Sequence, residues 1–343
     1  MTPHPSSLTP FTPRLANIRL HPIKSLDPVF VKEARIGPNG GLELDRAWAL
    51  YAADNRWVNG KRTAAMQLIR ATYAPDLSSV TVSVPGDRRN IPTRTFAFPG
   101  DTETAAEWFS VYFEQAVTVR YAREGQPDDG LAPGPTIVST ASLRAVCNWF
   151  PGLTVEEVRR RFRATLEIDG TESAADAASN DRGRSAVAAV FRPRGLESNG
   201  TEPHPAAGAR IADELENLPA PHKSPPSEEG GYSNGEWHDA LPAFWEDQLF
   251  AATDANVVRF KIGDVAFEGS NPCARCPVPT RDSFTGIAAD PTFQKRFNEL
   301  RRAQLPAWSP VDRFDHFYRL STNTRVPGTE QGKLLRVGDA VLL

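Results

Sequence analysis

The sequence Phe267-Glu-Gly-Ser-Asn-Pro-Cys273-Ala-Arg-Cys276-Pro-Val-Pro-Thr280-Arg-Asp282-Ser-Phe-Thr-Gly286 carries two cysteines and several prolines in one short stretch. An apolar alternation that runs from position 257 to Phe267 precedes it and predicts two short strands. Proline lacks an amide donor and disfavours helix at the residue before it. We therefore expect both thiols on a stiff, extended loop at the end of a strand.

Three kinds of site are compatible with this Cys-x-x-Cys pair. A structural zinc site needs four ligands, but the third cysteine, Cys147, lies in an apolar helical pattern and no His-x3–5-His pair exists. A dithiol redox pair normally opens a helix, which Pro277 and Pro279 disfavour here. The third kind is a single thiolate bound to a soft transition metal that is held mainly by another group.

The pattern Cys-x-Arg-Cys-x-x-x-Thr-x-Asp-x-x-Thr-Gly resembles the signature of the MOSC domain. That domain occurs in molybdenum cofactor sulfurases and in the mitochondrial amidoxime-reducing components and their bacterial relatives. The resemblance implies that Cys276 is the molybdenum ligand and a catalytic residue, together with Asp282. It also implies that Arg275 and Thr280 of the same pattern contact the cofactor.

The first half of the chain has several short strand patterns with turn signals at close intervals, which favour an antiparallel barrel or sandwich. This half resembles the N-terminal β-barrel domain that accompanies many MOSC domains. His21-Pro-Ile-Lys24-Ser25 stands where that family has Tyr-Pro-Val-Lys-Ser, and Asp45-Arg46-Ala-Trp48 matches Asp-Arg-x-Trp. The resemblance implies that Lys24, Ser25 and Arg46 contact the phosphate and pterin of the cofactor. Lys61, or its neighbour Arg62, is expected to add a further cation.

Two later segments extend the resemblance. Thr140-Ala-Ser142-Leu143 lies where a strand ends and a helix begins, and Thr140 and Ser142 are expected to contact the cofactor, with helix capping as the alternative for the hydroxyls. Phe162-Arg163 matches the start of a family Phe-Arg-Pro-Asn, so Arg163 is expected to clamp the cofactor. Ala164-Thr165 replace the Pro-Asn, which leaves the role of that amide without a counterpart.

The resemblance covers most of the chain and implies a mainly β fold with peripheral helices (α+β). We expect a disordered lead-in at 1–13, a MOSC N-terminal β-barrel domain at 14–130 and a MOSC β-barrel domain at 131–343. The composition from about 170 to 241 is rich in Ala, Ser, Gly, Pro and Glu and predicts a disordered insertion within the second domain.

Composition and missing motifs exclude several function classes. The net charge of −3 gives no indication of general nucleic-acid binding. Three cysteines do not form a disulfide framework and fit a reducing compartment. The N-terminus lacks the features of a signal peptide, anchor or presequence, and no run is long enough to span a membrane, so we expect a cytoplasmic protein. Nucleotide-binding, serine-hydrolase, haem and flavin motifs are missing as well.

As implied by the resemblance, the protein is a molybdenum-cofactor oxidoreductase that reduces small N-oxygenated molecules. Its electrons would arrive from a separate haem or flavin protein, because the chain has no motif for either group. The cofactor would be Mo-molybdopterin, held by its own dithiolene and by Cys276; pyridoxal phosphate binding is a further family-level association. Two alternatives remain open: a sulfur carrier that uses Cys276, and a non-catalytic protein that binds the cofactor.

Overall fold

The computed structural model describes residues 12–171 and 241–343, so the predicted insertion and most of the predicted lead-in lie outside the described residues. The described residues form sixteen strands and four α-helices, joined by short 3-10 turns. The strands are β1 Thr12–Leu20, β2 Val29–Val31, β3 Glu33–Arg35, β4 Trp48–Ala52, β5 Trp57–Val58, β6 Arg70–Tyr73, β7 Ser79–Ser83, β8 Arg94–Ala97, β9 Val117–Tyr121, β10 Ile137–Ser139, β11 Leu166–Thr171, β12 Val258–Ile262, β13 Val265–Ala274, β14 Arg319–Arg325, β15 Leu334–Arg336 and β16 Val341–Leu342. The helices are α1 Thr102–Phe113, α2 Thr140–Trp149, α3 Val155–Phe162 and α4 Phe293–Ala303. The expectation of a mainly β protein with peripheral helices is confirmed.

The largest sheet contains eight strands in the order β16-β12-β13-β14-β10-β11-β1-β2. Its two edges approach each other, because the amide of Leu15 in β1 donates to the carbonyl of Asp339 at 2.9 Å and Gly338 donates back to Leu15 at 2.7 Å. β10 and β11 are parallel neighbours, and α2 and α3 form the crossover that such a pair requires. The edges of this sheet therefore approach each other as they do in a barrel.

Smaller sheets build the rest of the first half of the chain. One has the order β5-β4-β9, a second has the order β6-β7-β8, and β3 pairs with β15. Ile23 forms an isolated parallel bridge with Trp48, which connects the segment after β1 to β4. Within the described ranges, no helix has the length and apolar character needed to cross a membrane.

The buried apolar side chains form separate cores that do not follow the predicted boundary at residue 130. One core contains residues between Ile23 and Val119, inside the predicted first domain. A second core combines Leu15, Ile18 and Leu20 of β1 with side chains as distant as Val341. The third core lies under α2, α3 and α4. β1 begins at Thr12, inside the predicted lead-in, and packs with the second half of the chain; the division at 130 itself stays a prediction.

The structure corrects the predicted position of one thiol. β13 continues to Ala274, so Cys273 lies on the strand and only Cys276 lies on the loop that follows. The pairing of β13 with β14 has irregularities between Gly269 and Asn271 and again between Pro272 and Ala274. A strand tolerates proline at such irregular positions, where the ladder hydrogen bond is already missing. Pro272 therefore lies within β13, and the strand ends two residues later, at Ala274.

Candidate functional site

A cleft of about 490 Å³ lies where several chain segments meet. Its volume is in the range typical of small-molecule sites. The lining segments are the stretch after β1, the loops around β3–β5, the 3-10 turn before β6, the linker after β9, the end of α3 and the cysteine loop. Among the predicted site residues, those that line the cleft are Lys24, Ser25, Arg46, Lys61, Arg163, Arg275 and Cys276. The structure thus brings these residues together, and their roles as cofactor contacts stay predictions.

Two free thiols, those of Cys273 and Cys276, line this cleft, and each residue is half-buried. Cys276 follows the end of β13 and precedes a 3-10 turn at Val278–Thr280, which places it on a short, constrained loop. Cys147 is the third free cysteine; it donates its thiol to the carbonyl of Leu153 at 2.9 Å, and burial raises its pKa. Cys147 is packed against the third core and lies outside the cleft lining.

Arg275 holds the cysteine loop against its neighbours. Its Nε donates to the carbonyl of Leu320 at 2.9 Å, and Nη1 donates to the carbonyl of Phe162 at 2.8 Å. Its Nη2 donates to the hydroxyl of Ser321 at 2.6 Å. These bonds connect the loop to β14 and to the end of α3. Arg275 therefore lines the cleft as a brace, with most of its donors directed at the protein.

Thr280 and Asp282 lie outside the cleft lining, and their predicted roles, Thr280 as a cofactor contact and Asp282 as a catalytic residue, stay predictions. The hydroxyl of Thr280 donates to the carbonyl of Pro277 at 2.7 Å within the 3-10 turn. Oδ1 of Asp282 accepts from the amides of Phe284 and Thr285, at 3.0 and 2.8 Å, and from the hydroxyl of Thr285. Asp and Thr often stabilise turns in this way. Their place in the motif is thus explained by loop geometry.

Lys24 is the most buried cation of the cleft, with 4% of its surface exposed. Its Nζ lies 3.0 Å from Oδ1 of Asp128, donates to the carbonyl of Gln126 at 2.7 Å and sits 4.0 Å from the ring centre of Trp57. Burial lowers the pKa of Lys24 to about 8, although Asp128 opposes the shift. Burial alone would raise the pKa of Asp128, but Lys24 and Lys61 lower it to about 2. The Lys61 ammonium lies 3.4 Å from the same carboxylate.

Arg46 and Arg163 complete the cationic end of the cleft. Both have a left-handed backbone, with φ of 53° and 54°. Burial opposes the charge of Arg46, but the adjacent carboxylate of Asp45, with which it is paired, outweighs burial and raises the pKa. Arg163 has no such partner: it donates to the carbonyl of Leu26 at 2.7 Å, and burial, with the charge of Arg46 nearby, lowers its pKa to about 10. Arg163 is therefore the less compensated of the two charges.

Ser25 and Lys61 occupy neighbouring positions in the cleft. Ser25 has a φ of 74°, and its hydroxyl accepts from the amide of Gly60 at 3.1 Å. This bond ties the segment after β1 to the loop that carries Lys61. Of the two basic residues that the sequence left undecided, Lys61 lines the cleft and Arg62 does not.

Thr140 and Ser142 are buried and lie outside the cleft lining, and their role as cofactor contacts stays a prediction. The hydroxyl of Thr140 donates to Glu167 at 2.8 Å, and that of Ser142 donates to Glu246 at 2.8 Å. The N-cap of α2 is Ser139, whose hydroxyl accepts from the amide of Ser142. The change from strand to helix lies close to the predicted place, but the capping hydroxyl is that of Ser139, so the alternative that Thr140 or Ser142 caps the helix is wrong.

Several cleft residues were not identified from the sequence. Asp128 lies in the turn Gln126-Pro-Asp-Asp-Gly130, which by itself looks like an ordinary linker. Arg70 and Arg160 come from a strand and a helix that carry no motif. In total, eight Lys and Arg residues and five Asp and Glu residues line the cleft, so cations prevail. Among the described residues, no group of three or more His, Cys, Asp or Glu residues is arranged to hold a metal ion, and a four-ligand zinc site is not formed there.

One comparison with known proteins identifies part of the chain. Residues 12–116 match the family model described as the MOSC N-terminal beta barrel domain. The match includes Lys24, Ser25, Arg46 and Lys61 and ends before the cysteine loop. The comparison with curated proteins found no match to the chain.

Proposed function

We propose that this protein, which belongs to the MOSC-domain family through its N-terminal beta barrel domain, binds a molybdenum cofactor in the cleft and reduces small N-oxygenated molecules. MOSC-domain proteins are associated with the molybdenum cofactor, as enzymes or as sulfurtransferases. The observation that carries the proposal is that the thiol of Cys276 lines the same cleft as the cations Lys24, Arg46 and Arg163.

The residues present fit a phosphorylated pterin with a soft metal. Eight Lys and Arg residues line the cleft against five Asp and Glu residues, and Lys24, Arg46, Lys61 and Arg163 are among the cations. This excess of positive charge suits a phosphomonoester, which carries about −1.5 to −2 charges at pH 7. A thiolate is the protein ligand that soft metals favour. The cleft therefore offers cations for the phosphate of the expected cofactor and a thiolate for its metal.

Each residue has a distinct part in holding the cofactor. The ammonium of Lys24 and the guanidinium of Arg163 would neutralise the phosphate, with Arg46 held in place by Asp45. Cys276 would supply the protein thiolate, and Arg275 would keep its loop against β14. When bound, the molybdenum would supply two-electron reduction of an N–O bond. A separate haem or flavin protein would donate the electrons.

Turnover tests the proposal directly. The full chain is made in a host that produces the cofactor, and molybdenum and pterin are measured per protein by elemental analysis and fluorescence. Conversion of benzamidoxime to benzamidine is followed with a chemical reductant, which removes the need for a natural electron donor. We expect bound metal and turnover. Metal and pterin without turnover would favour the non-catalytic alternative, and sulfur labelling of Cys276 without bound pterin would favour the sulfur carrier.

Cys276→Ser is expected to abolish metal retention and turnover while the fold persists. The reason is that a hydroxyl is a hard and poorly ionised ligand, whereas the thiolate is soft. Cys273→Ser is the matched control, because it makes the same change at the other thiol of the cleft, and we expect it to be milder. Circular dichroism checks folding of both variants. A Cys276→Ser protein with full metal content and turnover would show that the ligand assignment is wrong.

A further inference from the structure

The cleft contains a further group of polar side chains, gathered around Asp27, that the proposed function does not use. We call Gln67, Arg70, Arg160 and Phe284 the arginine subsite. Gln67, Arg70 and Arg160 line the cleft. The guanidinium carbons of Arg70 and Arg160 lie 5.0 and 5.1 Å from the ring centre of Phe284, whose side chain is 41% exposed. Two arginines from distant parts of the chain therefore meet at one aromatic ring.

The charge of this arginine pair is only partly compensated. Both guanidiniums share Oδ1 of Asp27, at 3.4 Å from Arg70 and 3.7 Å from Arg160. Oδ2 of the same carboxylate accepts from the amide of Ala71. The other acid near Arg160 is Glu156, 3.5 Å away, and Glu156 also pairs with Arg19 at 2.8 Å. Asp27 thus serves both guanidiniums at distances longer than a good hydrogen bond, while Nη2 of Arg70 also donates to the carbonyls of Gln67 and Ser283.

Two buried polar atoms of the arginine subsite have no hydrogen bond among the described residues, although one of them, Nη1 of Arg70, lies 3.4 Å from Oδ1 of Asp27. Oε1 of Gln67 and Nη1 of Arg70 are inaccessible to solvent and have no hydrogen bond. Gln67 is 9% exposed as a whole residue and lines the cleft. A buried donor without a hydrogen bond costs free energy, so Nη1 of Arg70 favours a ligand that accepts, whereas Oε1 of Gln67 is itself an acceptor and would need a donor on the ligand. Ile69 and Val278, which line the cleft as well, supply apolar surface beside them.

We propose that the arginine subsite binds the carboxylate of a substrate with an apolar, planar body. A carboxylate accepts from two guanidiniums at once, and the ring of Phe284 shields the pair from water. Combined with the proposed function, on which this substrate assignment rests, the preferred compounds are N-oxygenated aromatic acids. The binding of the carboxylate depends only on the arginine subsite.

The test uses the full chain and 4-fluorobenzoate as the probe, with fluorine NMR to follow binding. 4-Fluorobenzamide, which has the same ring without the charge, is the matched neutral probe. We expect 4-fluorobenzoate to bind about tenfold more tightly, as one charge-assisted hydrogen bond predicts. Equal binding of the two probes would overturn the proposal.

Variants locate the bound probe. Arg160→Gln should weaken 4-fluorobenzoate binding by about tenfold, Arg160→Lys should restore part of it, and Phe284→Leu should weaken it by about threefold. Arg259→Gln, the same change at an exposed arginine outside the cleft lining, should have no effect. Weakening by Lys24→Gln but not by Arg160→Gln would place the carboxylate at the other end of the cleft and overturn the proposal. So would binding that inorganic phosphate displaces and that Phe284→Leu leaves unchanged.

Turnover separates this proposal from the proposed function. If the protein reduces benzamidoxime, 4-carboxybenzamidoxime should have the lower KM, and Arg160→Gln should remove the difference. Probe binding that depends on Arg160, without turnover of either compound, supports the arginine subsite and contradicts the proposed function. Turnover of benzamidoxime without any binding of 4-fluorobenzoate supports the proposed function and contradicts the arginine subsite.

Discussion

Lys24 has the least exposed surface of the cations that line the cleft. It is nearly inaccessible, yet it lies beside Asp128 at 3.0 Å and over the ring of Trp57. Burial is the larger influence and lowers the pKa to about 8. Half of the positive charge that would attract a phosphate is therefore lost at about pH 8, where an ordinary lysine is still protonated.

Lys24 makes anion binding sensitive to pH. We expect the affinity for phenyl phosphate, a phosphomonoester, to fall as pH rises through about 8, because the ammonium deprotonates there. Lys24→Arg should flatten the profile, since a guanidinium stays charged. Calorimetric titration from pH 7 to 9.5 measures both proteins. A wild-type affinity that is constant over this range would show that Lys24 does not contact the anion.

The same pKa has an effect of opposite sign on stability. The folded pKa of Lys24 lies below its unfolded value of 10.5, so between about pH 8 and 10.5 the unfolded chain binds more protons. Its contribution to the free energy of unfolding therefore rises with pH in that window and is constant below it. At high pH Lys24 is neutral, so the free-energy cost of burying its charge disappears. The same loss of charge weakens anion binding.

Motifs indicated some cleft residues and missed others for a definable reason. Lys24, Arg46 and Arg163 were chosen because short patterns surround them, and the structure places them in one cleft. Asp128 could not be chosen, because its partner Lys24 is distant in sequence and its own context is a turn. Ser142 is the opposite case: its pattern was recognised, but its hydroxyl donates to Glu246 in the protein interior, and its role at the cofactor stays a prediction. The spacing of residues along the chain predicts the helix or strand to which a residue belongs. The direction of its side chain depends on tertiary packing.

At the scale of elements, β13 decides where the thiols lie. It carries Cys273, leads into Cys276 and crosses close to the 3-10 turn at Trp245–Leu249. The closest approach is at Gly269, where an added Cβ would lie 1.4 Å from the carbonyl oxygen of Leu249. The alternation of apolar residues predicted this strand, but the close backbone approach depends on a residue twenty positions earlier.

Gly269→Ala is expected to destabilise the protein by about 3 kcal/mol or more, because the backbone of β13 or of the 3-10 turn must move. Gly328→Ala is the matched control: the described residues place no heavy atom within 4 Å of a Cβ there. We expect that control to change stability by less than about 0.5 kcal/mol. Urea unfolding measures both. Similar stability of the two variants would mean that β13 has room to shift.

At the scale of the whole molecule, strands that are neighbours along the chain do not always pack in the same core. The strand patterns predicted β1 as part of the first domain, yet β1 pairs with β11 and approaches the segment before β16. An apolar alternation specifies that one face of a strand is buried, but it does not specify the partner. This is why the β content could be predicted from the sequence and the assignment of β1 to a core could not.

Two truncations test which core β1 stabilises. Ile18 of β1 is fully buried in the second core, whereas Val82 of β7 is fully buried in the first. Each truncation to alanine should cost about 1–4 kcal/mol through lost burial and the cavity left behind. Ile18→Ala should speed amide hydrogen exchange in β11 and β14 more than in β6 and β7, and Val82→Ala should do the opposite. If Ile18→Ala acted mainly on β6 and β7, β1 would belong energetically to the first half of the chain, and the boundary at 130 would describe the folding units as well as the sequence.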